Sequence, residues 1–198
     1  MKNKLFYCDL SSNVEISYDK LKGDLNNIKS FNTCIDEQNY YSIFKKIILS
    51  LLLDESIYLI DSEFSTSNKK QIINKYNKSI PVKDIDISSL NNLKIKKWAI
   101  TLFSSGTTGD PKQVLHTFDT ITRSVRKSEK HNNDIWGYAY NPTHIAGLQV
   151  FFQSFLNFNQ IIRLFDLPIH IIHQSIEKYK ISHISATPTF YRLLCFNE

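Results

Sequence analysis

The chain has 198 residues, 42% of them hydrophobic and 22% charged, with a formal charge of +5. That balance belongs to a folded globular protein rather than a disordered chain, and the length is enough to bury a substantial core. The densest apolar run, residues 47–53, is too short to span a membrane, and the residues after the first lysines include too few apolar ones for a signal-peptide core.

In chain order, "ISYDKLKGDLNNI" sets Tyr18, Leu21, Leu25 and Ile28 at helical spacing, with Ser17 as N-cap and Gly23 as a weak point. "NYYSIFKKIILSLLL" predicts a stronger helix, since Tyr40, Ile43, Phe44, Ile47, Ile48 and Leu51 share one broad face. "SIYLID" reads as a short buried strand, "STSNKKQIINKY" as a helix, and the polar stretch 81–92 as loop. Residues 65–98 carry eight lysines against two aspartates, which places most of the net charge there. Without an arginine and with little aromatic interleaving, this stretch reads as a solvated helix face and loop, so no nucleic-acid partner is expected.

"KWAITLF" predicts the next buried strand, running into "SSGTTGDPKQV". After it, Phe118, Ile121 and Val125 predict a helix with Arg123, Arg126 and Lys127 outside. "DIWGYAY" reads as a strand, "HIAGLQVFFQSFLNF" as a helix buried nearly all round, and "QIIRLF" as a strand. "LPIHIIHQSIEKY" puts Ile169, Ile172, Ile176 and Tyr179 on one stripe, "ISHISA" is a strand, and Thr187 with Pro188 opens a last helix. Strands alternating with helices predict an α/β fold, a mostly parallel sheet with flanking helices. Cys8, Cys34 and Cys195 are scattered and form no C-x-x-C, which points to reduced thiols in a cytoplasm rather than to disulfides or a zinc site. His170 and His173 are one helical turn apart but lack a carboxylate or cysteine at ligand spacing, and His116 and His183 read as structural.

The run 104–112 is expected to join the end of a buried strand to a helix, where ligands of open α/β sheets collect. Gly106 and Gly109 permit close approach of a ligand to the backbone, and Ser104, Ser105, Thr107 and Thr108 add hydroxyl donors. Lys112 adds a positive charge, and Pro111 stiffens the exit. Such a concavity of donors suits phosphate oxygens. The spacing G-x-x-G-x-P-K is not that of a Walker A loop. From composition alone, an ordinary turn rich in serine, threonine and glycine stands equally open.

The order of residues resembles a known family. "SSGTTGDPKQV" is similar to the phosphate-binding signature of the adenylate-forming superfamily, the acyl-CoA synthetases and ligases with an AMP-binding domain. "NPTHIAGLQVFFQSFL" and "ISHISATPTFYRLL" resemble two later segments of the same family, in the same order. The resemblance implies that a carboxylic acid is activated with ATP and Mg2+ to an acyl-adenylate. A thiol, coenzyme A or a carrier-protein pantetheine, then displaces AMP. It implies that Ser105, Gly106, Thr107, Thr108 and Gly109 cradle the β- and γ-phosphates with Lys112 beside them. It places His144 and Gly147 at the acyl and adenylate pocket. Gln113 and Ser104 depart from the glycine and threonine usual there. The resemblance also implies that 1–198 is the N-terminal portion of an AMP-binding domain. The adenine, ribose and magnesium segments and the small lid domain would lie beyond it, in a longer protein or a separate C-terminal half. A non-catalytic phosphate-binding module of the same fold is the alternative.

Overall fold

In a computed structural model of the chain, residues 4–83, 85–104 and 111–195 are described. The chain divides into two compact units, one formed by Met1–Leu21 with Ser124–Glu198 and the other by Lys22–Arg123. Seven α-helices and eleven strands follow in chain order among the described residues. Five of the eight strand pairings are parallel, so the expected mostly parallel α/β architecture is the one observed.

The first unit holds a five-stranded sheet in the order β11-β9-β10-β1-β2. β1 (Leu5–Asp9) and β2 (Val14–Ser17) form an antiparallel hairpin at one edge. β9 (Ile135–Tyr138), β10 (Gln160–Arg163) and β11 (His183–Ser185) run parallel to β1. Between β9 and β10 comes α5 (Ile145–Phe155), and between β10 and β11 comes α6 (Ile169–Tyr179). The stripe read on α6 is real: Ile172 and Tyr179 are buried with Cys8, Ala139, Ile162 and Leu164, and Ile169 and Ile176 pack against them. Strand alternation turns Gly137 toward this cluster, where a Cβ would lie 2.6 Å from Leu164 and 2.9 Å from Ile184. α5 lies on β9 and β10 and buries Leu148, Phe151, Phe152 and Phe155, with Phe151 and Phe155, at i,i+4 spacing, stacking at 5.5 Å. α7 (Pro188–Cys195) opens as read, with the Phe190 amide donating to Thr187 Oγ1.

The second unit builds a four-stranded sheet, β4-β5-β7-β8, and a two-stranded one, β3-β6. β3 (Ser30–Asn32) and β6 (Ser79–Pro81) are antiparallel. β4 (Cys34–Ile35), β5 (Ile57–Leu59) and β7 (Ala99–Ser104) are parallel. α2 (Tyr40–Leu53) buries the face read from its spacing, and α3 (Thr66–Tyr76) is capped by the Ser65 side chain. α1 (Tyr18–Asn26), whose first residues belong to the first unit, begins after Ser17, whose Oγ accepts from the Lys20 amide as expected of an N-cap. The stretch read as loop carries one 3-10 turn, Ile87–Asn91, after β6. Cys8, Cys34 and Cys195 are free thiols; burial pushes Cys8 up to about 12 and Cys34 to about 11, so neither is a thiolate at neutral pH. Among the described residues no helix is long and apolar enough to cross a membrane.

Two expectations need correction. The run after β7 does not lead into a helix: residues 112–117 form β8 (Lys112–Thr117), antiparallel to β7 over six register pairs from Ala99↔Thr117 to Ser104↔Lys112. The reason lies in β8 itself. It is an edge strand with both faces open, Val114 44% and Leu115 65% exposed, so no buried alternation marks it in the sequence. The helix expected through Val125 is also shorter, α4 (Phe118–Thr122). Beyond it the Arg126 backbone is bracketed by Gln153, whose Oε1 accepts from the Arg126 amide at 2.8 Å and whose Nε2 donates to the Arg126 carbonyl at 3.1 Å. That side-chain amide replaces the helical hydrogen bonds.

β7 is set at its start by Asp54, the left-handed C-cap of α2 (φ 51°). Its carboxylate accepts from the amides of Lys96, Lys97 and Trp98 at 3.0 to 3.3 Å. Asp54→Ala removes those bonds and puts an unfavourable residue in the left-handed region. It should lower the unfolding free energy by about 2–3 kcal/mol, with Asp54→Asn losing less. Urea unfolding midpoints check this; a midpoint unchanged in Asp54→Ala would show that the cap is idle.

Candidate functional site

In the second unit β7 is buried from its first to its fifth residue and surfaces at Ser104. Ser104 faces Lys112 across the ladder, so the segment between them bridges two antiparallel strand ends. Ser105, Gly106, Thr107, Thr108 and Gly109, together with Asp110, lie outside the described residues. Lys112 is exposed at the first position of β8. One residue on, Gln113 donates from Nε2 to the Tyr76 hydroxyl at 2.5 Å. Pro111 and Gln113 border a cavity of about 130 Å³ against Ile72, Lys75, Tyr76 and Phe103.

In the first unit, the turn after β9 is built by Asn141. Its Oδ1 accepts from the Thr143 amide at 3.0 Å and the Thr143 hydroxyl at 2.8 Å, and its carbonyl accepts from the His144 amide at 3.2 Å. Asn and Asp favour such turns because the side chain stands in for a backbone acceptor. His144 is the exposed N-cap residue of α5, with extended backbone at φ −99°. Gly147 sits in the first turn of α5, buried against that same loop. A Cβ there would lie 2.4 Å from the Asn141 carbonyl oxygen and 2.6 Å from the Tyr138 hydroxyl. Only glycine lets the helix approach so closely.

Beside this turn, a cavity of about 280 Å³ opens at the C-terminal ends of β9 and β11, the end of a parallel sheet where ligands gather. Trp136, Tyr140, Ala146, Gln149, Gln153 and Ser185 border it, and every residue of its lining is uncharged. Trp136 forms one wall; its ring stacks on His183 at 5.0 Å, and its Nε1 is buried without a hydrogen-bond partner among the described residues. Trp136, Tyr140, Gln149 and Ser185 were not singled out from the sequence. Gln149 and Gln153, one turn apart on an otherwise apolar helix, were the available signal. His170 and His173 are exposed on α6 and take no part in either place.

Elsewhere at this strand-end edge, Asp9 is buried and accepts from Ser11 and from Arg163 Nη1 at 3.0 Å. Burial, the largest single influence, pushes its carboxyl upward. The hydrogen bonds from Ser11, Arg163 and Ser12 and the Arg163 charge together outweigh it and hold Asp9 below the usual carboxylate value.

The family model described as AMP-binding enzyme matches residues 47–198. The chain belongs to this family. Among solved structures this chain is similar to o-succinylbenzoate CoA synthetase (MenE) of Bacillus subtilis in complex with the acyl-adenylate intermediate OSB-AMP. The TM-score is 0.70 at 16% identity, covering 99% of this chain and 61% of that one. A complex of the same Bacillus synthetase with ATP and magnesium gives a TM-score of 0.67 at 16% identity, over 96% of this chain and 61% of that one. The N-terminal domain of FACL13 from Mycobacterium tuberculosis, with an inhibitor bound, gives 0.68 at 14% identity, over 96% and 60%. At these identities the likeness is one of fold, that of the N-terminal domain of acyl-CoA synthetases. The chain spans less than two thirds of the length of these relatives. No curated protein sequence matches it.

Gly147→Ala should cost roughly 1–3 kcal/mol, because the added methyl meets backbone rather than a mobile side chain. Gly23→Ala in α1, where a Cβ would meet nothing within 4 Å, should instead stabilise by about 0.5–1 kcal/mol. Thermal melts of the two variants check the pair; equal melting temperatures would contradict the close approach at Gly147.

Proposed function

We propose that the chain is the N-terminal portion of an AMP-binding domain and supplies the polyphosphate-binding hairpin and the acid-binding cavity of an ATP-dependent acid–thiol ligase. The family match over residues 47–198, which includes both motifs, carries this reading. In the first step a carboxylate oxygen of the acid bonds to the α-phosphorus of ATP, and the bond to the bridging oxygen of pyrophosphate breaks. In the second, a thiol sulfur of coenzyme A or a carrier-protein pantetheine bonds to the acyl carbon, and AMP leaves.

Ser105, Gly106, Thr107, Thr108 and Gly109 donate backbone and hydroxyl hydrogens to the β- and γ-phosphates, and the Lys112 ammonium offsets their charge. Fixed donors of this kind act most strongly where charge grows on the leaving group. By resemblance His144 gates the acid pocket, Gly147 keeps α5 close to the turn that carries His144, and the uncharged cavity takes the body of the acid. Magnesium bound to the ATP phosphates would shield them further; it is held by phosphate oxygens and few protein carboxylates in such sites. The complex of the Bacillus synthetase with ATP and magnesium supports both ligands. By resemblance, the groups that hold adenine, ribose and magnesium, and the catalytic lysine, belong to later segments of the family.

Pyrophosphate exchange tests this. With ATP, magnesium and a panel of short- and long-chain acids, residues 1–198 alone should give no exchange, and the chain completed with a C-terminal half should give it. In the completed enzyme, Thr107→Ala with Thr108→Ala should slow exchange on the order of 10²-fold. An unchanged rate for that double variant would return the run to an ordinary turn, and exchange by residues 1–198 alone would refute the need for a second part.

A further inference from the structure

β8 is the edge strand of its sheet, and Lys112, Gln113, Val114 and Leu115 are all exposed. A strand with one buried face has its register fixed by burial, because a slip of one residue exposes its whole apolar set. β8 has no such face at this end. The ladder with β7 sets its pairing, and at this end a side-chain contact can reinforce it.

The side chain that does so is Gln113, tied to the Tyr76 hydroxyl at 2.5 Å. Tyr76 is a firm anchor. Its ring stacks on Tyr58 at 4.8 Å and 20° and lies 6.2 Å from Phe103, and its carbonyl accepts from Thr33 Oγ1 at 3.2 Å. Phe103 is the ladder partner of Gln113, so anchor, partner and glutamine meet around the 130 Å³ cavity at the start of β8. Successive side chains of a strand point to opposite faces. With Gln113 bound on the α3 side, Lys112 is directed to the other face, and a one-residue slip would exchange the two.

We propose that Tyr76 and Gln113 are a positioning pair for Lys112: their hydrogen bond reinforces the ladder register and the facing of the first residues of β8 and so presents the ammonium to a polyphosphate. The inference rests on the reading of residues 105–112 as a phosphate-binding run. The pair touches no phosphate itself. It acts on phosphate affinity only through the placing of Lys112.

The test is a titration of residues 1–198 with inorganic tripolyphosphate, followed by phosphorus NMR, in a double-mutant scheme. Lys112→Ala should weaken binding. Tyr76→Phe, which keeps the stacked ring and removes only the hydroxyl, should weaken it about threefold to tenfold. Gln113→Ala should do the same, and the two losses should not add. In the Lys112→Ala background, Tyr76→Phe should have no further effect, an outcome that a general loss of structure would not produce. An unchanged affinity in Tyr76→Phe while Lys112→Ala weakens binding would refute the pair and leave the phosphate reading standing. An equal loss in the Lys112→Ala background would likewise refute positioning. If Lys112→Ala has no effect, the role of Lys112 in phosphate binding fails, and the pair fails with it.

Discussion

The placement of β7 is the constraint on which the unit carrying the glycine-rich run depends. Five consecutive buried residues, flanked by parallel β5 and antiparallel β8, leave the strand one register. Sliding it by one position would exchange Ile100 and Leu102 with Thr101 and Phe103 between the two faces. Asp54 fixes where the strand begins, through the backbone amides just before it. The strand therefore surfaces at Ser104, and the glycine-rich run starts from a point that the core has already determined. β8 inherits its position from β7, since its own side chains bury almost nothing.

A different constraint shapes the first unit. β9 divides its side chains between a face packed by α6 and a face covered by α5, with Gly137 turned to the first and Tyr138 to the second. On the α6 side the packing is aliphatic. On the α5 side, Gly147 allows contact so close that the turn of Asn141, Thr143 and His144 is pressed against the helix start. The cavity bordered by Trp136, Tyr140 and Gln149 lies next to that contact, at the strand ends. Its uncharged lining suits the apolar body of an acid better than a second carboxylate, which would be costly to bury without a cation beside it.

What the sequence made legible follows from burial. α2, α5 and α6 carry apolar residues at helical spacing over three turns or more, and β7 is a continuous apolar run, so each was readable. β8 was not, because ladder pairing rather than a buried face makes it a strand. The β1–β2 hairpin escaped for a related reason: β2 is only partly buried, and its strand character comes from pairing with β1. Among the candidate residues, Lys112, His144 and Gly147 were named from motif order. Trp136, Tyr140 and Ser185 were not, because what joins them to α5 is the parallel order β11-β9-β10, which no local pattern encodes.

The central claim is that the hairpin mouth between Ser104 and Lys112 grips the terminal phosphates of ATP. Phosphorus NMR of ATP titrated with residues 1–198 tests it most directly, since the three phosphates give separate signals. The account predicts that the β and γ signals shift and broaden while the α signal changes little, and that Lys112→Ala with Thr108→Ala abolishes the effect. Equal changes at all three signals, or β and γ changes that survive in the double variant, would contradict it.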